Sequence, residues 1–308
     1  MIQVENLQKS YGNLRAVDGI SFEVPEGELF GFLGPNGAGK TTTISMISGL
    51  LKPDAGSIRI GDIDVWHTPK AAKRILGLVP QDVSLYEELT GWENLQFWGS
   101  LYDLPRAELK ANIGEWLERV GLSDRARDPV AKYSGGMKRR LNLAVGLVHN
   151  PKVVLLDEPT VGIDPQARNA IMEIIREIAR SGVTILFTTH HLEEAESLCQ
   201  RIAIMDHGQI LVTGSVAELA KVVGDGDIVT VRGPFTSVQL KTVFENDALR
   251  FLSLADGEAV ISVPSVGSGL ALITQRLSEA GIEIANLTIQ KPTLESVFLK
   301  LTGRELRD

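Results

Sequence analysis

Residues 34–41 read Gly34-Pro35-Asn36-Gly37-Ala38-Gly39-Lys40-Thr41, and this octet governs how the rest of the chain is read. The apolar run Leu29-Phe30-Gly31-Phe32-Leu33 leads into it, and Thr41-Thr42-Thr43-Ile44-Ser45-Met46 reads as the helix leaving it. Strand, glycine-rich loop and helix are the context in which G-x-x-x-x-G-K-[ST] holds phosphate. Gly34, Gly37 and Gly39 allow positive φ and close approach, so successive backbone N–H groups can converge on phosphate oxygens. The helix start adds a partial positive charge. Lys40 supplies a full charge for β- and γ-phosphates, and the Thr41 hydroxyl is suited to ligating Mg²⁺.

Composition narrows the class. With 308 residues, 44% of them hydrophobic, the chain can bury a full core and is expected to hold two domains. A net charge of −8, from 31 basic and 39 acidic residues, argues against broad nucleic-acid binding. Cys199 is the sole cysteine, so an intrachain disulfide and a thiolate zinc cluster are both excluded, which suits a reducing cytoplasm. The first residues do not read as a signal peptide, and no apolar stretch reaches the length that crosses a bilayer. A soluble protein is expected, with any membrane role supplied by a partner.

Ile2–Leu7 and Ile20–Val24 alternate like strands of a β-rich layer, with a turn at Pro25-Glu26-Gly27-Glu28. From Leu89 to Val120 the pattern is helical, and its aromatics, Trp92, Phe97, Trp98 and Trp116, read as core. A parallel-sheet pattern follows: strand Val153–Leu156, helix Pro165–Ser181 capped by Asp164 and stopped by Gly182, strand Thr184–Thr188, and a helix from Leu192. A boundary is read at Val223-Gly224-Asp225-Gly226-Asp227, dividing residues 1–222 from 223–308. Beyond it the expected order is strand 228–232, helix 237–244, strands 249–254 and 259–263, helix 270–280, strand 282–289 and helix 294–301. That is β-α-β-β-α-β plus a helix, a small split-βαβ sandwich.

A second phosphate-chemistry element is Val153-Val154-Leu155-Leu156-Asp157-Glu158. A buried strand ending in a carboxylate holds Asp157 where it can orient Mg²⁺. Glu158, one residue on, can polarise a water for in-line attack on a γ-phosphate. Tyr133-Ser134-Gly135-Gly136-Met137-Lys138-Arg139-Arg140 opens another helix, capped by Ser134, and makes a second anion-binding helix start. Val79-Pro80-Gln81-Asp82 lies between the two loops, and Thr188-Thr189-His190 ends the strand after the acidic pair.

These five motifs, in this order, resemble the ATPase subunit of ATP-binding cassette (ABC) transporters over residues 1 to about 220. The resemblance implies an α/β P-loop NTPase fold with an antiparallel β subdomain and a helical subdomain near residues 83–150, followed here by a small C-terminal α+β domain. It implies ATP and Mg²⁺ as cofactors, with nucleotide held by Tyr11 on the adenine and by Gly34, Pro35, Asn36, Gly37, Ala38, Gly39, Lys40, Thr41 and Thr42 on the phosphates. Ser134, Gly135 and Gly136 match the signature loop that grips the γ-phosphate bound by the other subunit, and Asp164 lies in the loop crossing that seam. Glu158, His190, Gln81 and Lys40 match the catalytic positions, and Thr41, Gln81 and Asp157 match those around the metal. The partners implied are an integral-membrane permease and a second ATPase subunit, identical or a close paralogue. No nucleic acid is expected. The location implied is the cytoplasmic face of the membrane, held there peripherally by the permease.

The chain departs from the family pattern with Tyr133 where Leu is usual, Met137 where Gln is usual, Val161 for Ser and Ile163 for Leu. None of these removes a phosphate-binding backbone donor or a catalytic carboxylate. The tail Pro292-Thr293-Leu294-Glu295-Ser296-Val297-Phe298-Leu299-Lys300-Leu301-Thr302-Gly303-Arg304 resembles the C-terminal extension of ATPases serving ABC-2-type exporters, the daunorubicin-resistance kind among them. Export is the direction this implies. A soluble cassette ATPase acting on ribosomes or DNA, a non-hydrolysing regulatory module and an importer ATPase are the competing readings.

Overall fold

The computed structural model describes residues 1–223, 226–245, 249–263 and 266–302. It divides into two compact units, Met1–Ile210 and Leu211–Asp308. In the first run β1 (Ile2–Tyr11), β2 (Leu14–Val24), β3 (Leu29–Leu33), α1 (Lys40–Ile47), β4 (Ala55–Ile60), β5 (Ile63–Asp64), α2 (Pro69–Ile75), β6 (Leu76–Val79), α3 (Gly91–Gly99), α4 (Arg106–Arg119), α5 (Gly135–Leu147), β7 (Val153–Asp157), α6 (Pro165–Arg180), β8 (Thr184–Thr189), α7 (Leu192–Leu198) and β9 (Arg201–Asp206). The division falls within β10 (Gln209–Gly214), and the second unit continues with α8 (Val216–Val223), β11 (Asp227–Arg232), α9 (Ser237–Val243), β12 (Arg250–Ala255), β13 (Glu258–Val263), α10 (Val266–Glu279), β14 (Asn286–Gln290) and α11 (Leu294–Thr302). Gly224 and Asp225, from which the boundary was read, lie outside the described residues, as do Gly303 and Arg304 of the tail. The division comes upstream of 222/223 because α8 packs against α11 and so belongs with the second unit.

Two sheets build the first unit. An antiparallel layer has the order β2-β1-β4-β5, and a six-stranded sheet the order β10-β9-β3-β8-β7-β6. Every residue of β3, β7 and β8 is buried, which is why these strands are apolar throughout instead of alternating. Between the layers pack Ile2, Val4, Phe30, Phe32, Ile44, Ile58 and Leu155, all within 2% of fully buried. β3 runs parallel to β8, with Leu33 opposite Thr189, and β7 runs parallel to β8, with Asp157 opposite Thr188. The C-terminal ends of β3, β7 and β8 therefore lie side by side, and the loops after them share one end of the sheet.

The helical stretch after β6 is broken where a left-handed Asp103 (φ 56°) precedes Pro105. Thr90 and Glu93 close a capping box at the start of α3. α5 rests directly on β6: a Cβ on Gly77 would stand 2.2 Å from the Gly146 carbonyl oxygen.

The second unit has the β-α-β-β-α-β order, with an antiparallel sheet β12-β13-β11-β14. Val229, Val231, Ile261, Val263, Ile273 and Leu277 form its core. Its last strand starts at Asn286, later than the alternation of Ile282 and Ile284 suggests. The Ile282 N–H instead donates to Leu277 O across a left-handed Gly281 (φ 68°), closing α10. Among the described residues no helix is long and apolar enough to cross a membrane.

Candidate functional site

The octet forms the loop between β3 and α1, as its composition requires. Gly39 has φ 107°, and a Cβ there would stand 2.4 Å from Ala16 O, so a β2 carbonyl roofs the loop where only glycine fits. A Cβ on Gly34 would meet Met205 O at 2.3 Å, which presses the loop onto the end of β9. Ala38 is buried, whereas Asn36, Gly37 and Thr41 are exposed and Thr42 half-buried. Tyr11 ends β1 with half its surface exposed, at the turn of the β1–β2 hairpin.

Lys40 opens α1 and is 4% exposed. Its ammonium donates to Gly34 O at 2.7 Å and Pro35 O at 3.2 Å, and pairs with Glu158 Oε1 at 3.0 Å. The other Glu158 oxygen, Oε2, lies 3.1 Å from His190 Nδ1. Glu158 itself has φ 46°, and its N–H donates to Thr188 Oγ1 at 3.1 Å. That left-handed turn carries the carboxylate from the end of β7 toward the loop after β3. Burial pulls the Glu158 carboxyl up, but the His190 hydrogen bond and the Lys40 charge outweigh it and hold the group at about 2. It is therefore an ionised hydrogen-bond acceptor at neutral pH. Lys40 and His190, far apart in the chain, thus converge on one carboxylate.

Asp157 is buried, and burial raises its carboxyl above the usual value even though Thr188 and Thr41 donate hydrogen bonds to it. Thr188 Oγ1 stands 2.6 Å from Asp157 Oδ1. The Thr41 hydroxyl and the Asp157 carboxylate are hard oxygen donors on adjoining elements, a set that fits Mg²⁺ shared with phosphate oxygens. Gln81 is exposed after β6, and the structure ties it to the centre through its backbone, not its amide.

The link is Arg139, which the sequence reading did not single out. It is 4% exposed on the inward face of α5. Its guanidinium donates to Gln81 O, to Glu158 O at 3.2 Å and to Val161 O at 3.1 Å. Asn142, one turn on, accepts from Ser84 N–H at 3.0 Å, and its amide reaches Pro80 O at 3.4 Å. One helix thereby holds the segment around Gln81, the acidic corner and the Val161 loop. The available signal was a charged residue in register with the apolar stripe of α5. Glu194 of α7 plays a comparable part, accepting from Thr160 Oγ1 and Thr189 Oγ1, each at 2.9 Å.

Ser134 caps α5, accepting from Met137 N–H at 3.3 Å. A Cβ on Gly135 would meet nothing within 4 Å, whereas one on Gly136 would stand 2.7 Å from Ala167 Cβ of α6. Gly135 faces open space and Gly136 faces the neighbouring helix. Asp164, expected at a ligand, caps α6 by accepting from Ala167 N–H at 2.9 Å. Tyr133 is buried, and its hydroxyl donates to Arg125 O at 2.7 Å; a Cβ added to Gly91 would stand 2.5 Å from the Tyr133 hydroxyl oxygen. The unusual aromatic is a strut between α5 and the start of α3. His191 starts the turn into α7, with its N–H donating to Thr189 Oγ1 at 2.9 Å.

Residues 17–161 match the family model described as ABC transporter. The chain is 43% identical to the linearmycin resistance ATP-binding protein LnrL of Bacillus subtilis (strain 168), with all of both chains covered. It is 40% identical to the daunorubicin resistance ATP-binding protein DrrA3 of Streptomyces coeruleorubidus, over 99% of this chain and 97% of that one. Among solved structures it is similar to a dimeric ATP-binding cassette in a post-hydrolysis state bound to ADP and Pi. There the TM-score is 0.64 at 26% identity, over 70% of this chain and 98% of the other.

Proposed function

The chain belongs to the ABC transporter family as one of its ATP-hydrolysing subunits, and from that premise we propose that it powers export through a separate ABC-2-type membrane permease. The observation that carries the catalytic part is the convergence of Lys40 and His190 on the two oxygens of Glu158. Glu158 accepts the proton of the attacking water, His190 orients that carboxylate and reaches the γ-phosphate, and Lys40 neutralises the β- and γ-phosphates. Mg²⁺, held by Thr41 and Asp157, would supply further charge neutralisation on the phosphates when bound. Tyr11 stacks on the adenine, and the backbone N–H groups of residues 34–42 cradle the phosphates.

Two copies, or this chain and a close paralogue, meet head to tail, each offering Ser134, Gly135 and Gly136 to the nucleotide of the other. The open space beside Gly135 supports this, because that face of the helix start is free to receive an anion. Gln81 reports closure to the permease. Beside it, in the first unit, is a cleft of about 760 Å³ walled by Leu50, Pro80, Trp98 and Leu101, with Lys70 and Lys73 on its rim. A cytoplasmic helix of the permease, apolar on one side and acidic on the other, suits that lining, and it holds the protein peripherally at the cytoplasmic face. The resistance names of the relatives and the exporter-like tail favour export over import.

The test is ATP hydrolysis by the purified chain in vesicles, with and without a co-purified permease. Stimulation by the permease supports the reading, and stimulation by ribosomes or DNA in its place would replace it.

A further inference from the structure

The C-terminal sheet ends on a strand with no charge. β14 pairs with β11 on one side, Thr288 opposite Thr230 and Ile289 opposite Val229, and it is the terminal strand of its sheet. Asn286, Thr288, Ile289 and Gln290 are exposed, Ile289 by 41%. An open edge is usually blunted by lysine, proline or a bulge, because its unpaired N–H and C=O groups are a template for another strand. β14 has neither residue type, and its register with β11 runs without a shift. The opposite edge, β12, begins at Arg250 and carries a register shift between Phe251 and Ser253. Among the described residues no further strand pairs with β14.

The strand reads Asn286-Leu287-Thr288-Ile289-Gln290: amide, aliphatic, hydroxyl, aliphatic, amide. It is nearly the same in both directions. Turned antiparallel onto a second copy about Thr288, it sets Leu287 against Ile289 twice and Asn286 against Gln290 twice. Leu287 and Ile289 stand opposite Val231 and Val229, which are core residues, so the apolar layer would continue across the seam. The flanking charges agree. Exposed Lys291, whose ammonium pairs with Asp227 at 2.7 Å, would lie opposite Ala285 and one diagonal step from Glu283 of the second copy.

We propose that two copies of this chain join through β14, antiparallel about Thr288, into one continuous C-terminal sheet. The contact goes beyond the nucleotide sandwich and needs no ATP. Five residues a side make a weak interface alone, but a tether of this kind keeps two cassettes at high effective concentration while they are apart.

The test uses the full chain carrying Cys199→Ala and Thr288→Cys, without nucleotide, treated with a short bis-maleimide. Cross-linked dimer is expected in at least about tenfold excess over the same chain bearing the cysteine at Val238, which is exposed on α9. Thr288→Lys, which sets two like charges on the seam, is expected to lower the dimer fraction in sedimentation at unchanged thermal midpoint. Cross-linking at Thr288 no greater than at Val238 would overturn the proposal. Because no nucleotide is present, that result leaves the ATP-dependent pairing of the cassettes to be judged separately.

Discussion

Lys40 and Glu158 form an ion pair with both side chains 4% exposed, Nζ lying 3.0 Å from Oε1. With Gly34 O and Pro35 O as its other acceptors, all three ammonium protons are directed into the protein. In the mechanism proposed above, a phosphate drawing on Lys40 competes with the carboxylate that is to activate water, so binding and catalysis would be coupled through one nitrogen.

Replacing Glu158 with Gln separates the two. The amide keeps the shape and removes the competing charge, so ATP affinity is expected to rise roughly fivefold, about 1 kcal/mol. Turnover is expected to fall by about 10²-fold or more, as for loss of a general base. Equilibrium binding and phosphate release report the two effects independently.

Arg139→Lys is expected to be far from conservative. A lysine cannot span Gln81 O, Glu158 O and Val161 O together, and carbonyls left unpaired at a buried site cost free energy. A loss of about 3 kcal/mol in denaturant unfolding of the first unit is expected, with lower turnover because the acidic corner loses its anchor.

The two signature glycines should behave differently. Gly135→Ala places a methyl in open space, so the thermal midpoint should stay within about 1 °C while turnover falls, if that face receives the second copy's nucleotide as proposed. Gly136→Ala drives a methyl against Ala167 and is expected to cost about 1–3 kcal/mol in stability.

His149 predicts acid sensitivity in a defined window. It is buried with Nε2 3.1 Å from Leu76 O and its ring stacked on Tyr102 at 3.6 Å, and burial pushes it down to about 4 from 6.5. The unfolded chain therefore takes up a proton that the folded chain refuses, and stability falls as pH drops from 6.5 toward 4. Glu158, held at about 2 against an ordinary 4.5, loses its contribution only below 4.5, so it is silent above that pH. His149→Gln is expected to flatten the thermal midpoint between pH 6.5 and 4.5, with up to about 2–3 kcal/mol at stake.

The parts legible in the sequence were those whose chemistry is contiguous. The glycine loop, the acidic pair after a buried strand and a histidine ending the next strand each carry their own local pattern. β3, β7 and β8 then place them together because all three are buried parallel strands. Arg139 and Glu194 left little trace, since their partners are backbone carbonyls and threonine hydroxyls from distant segments. β4, β6 and β9 were missed on other grounds: β6 spans only four residues, β9 is buried from Ile202 to Asp206 and shows no alternation, and β4 buries only Ile58 and Ile60. Asp164 was legible twice over, as a seam residue and as a helix cap, and the structure displays the cap.

Hydrolysis as proposed needs a nucleotide shared between two copies, and Glu158→Gln tests that most directly. Sedimentation of that variant carrying Thr288→Lys as well, so that the β14 contact does not contribute, should give a dimer in ATP and Mg²⁺ and dissociation in ADP, and Gly135→Trp in the same chain should abolish the dimer. A variant that remains monomeric at saturating ATP, while the unaltered monomer hydrolyses at full rate, would contradict it.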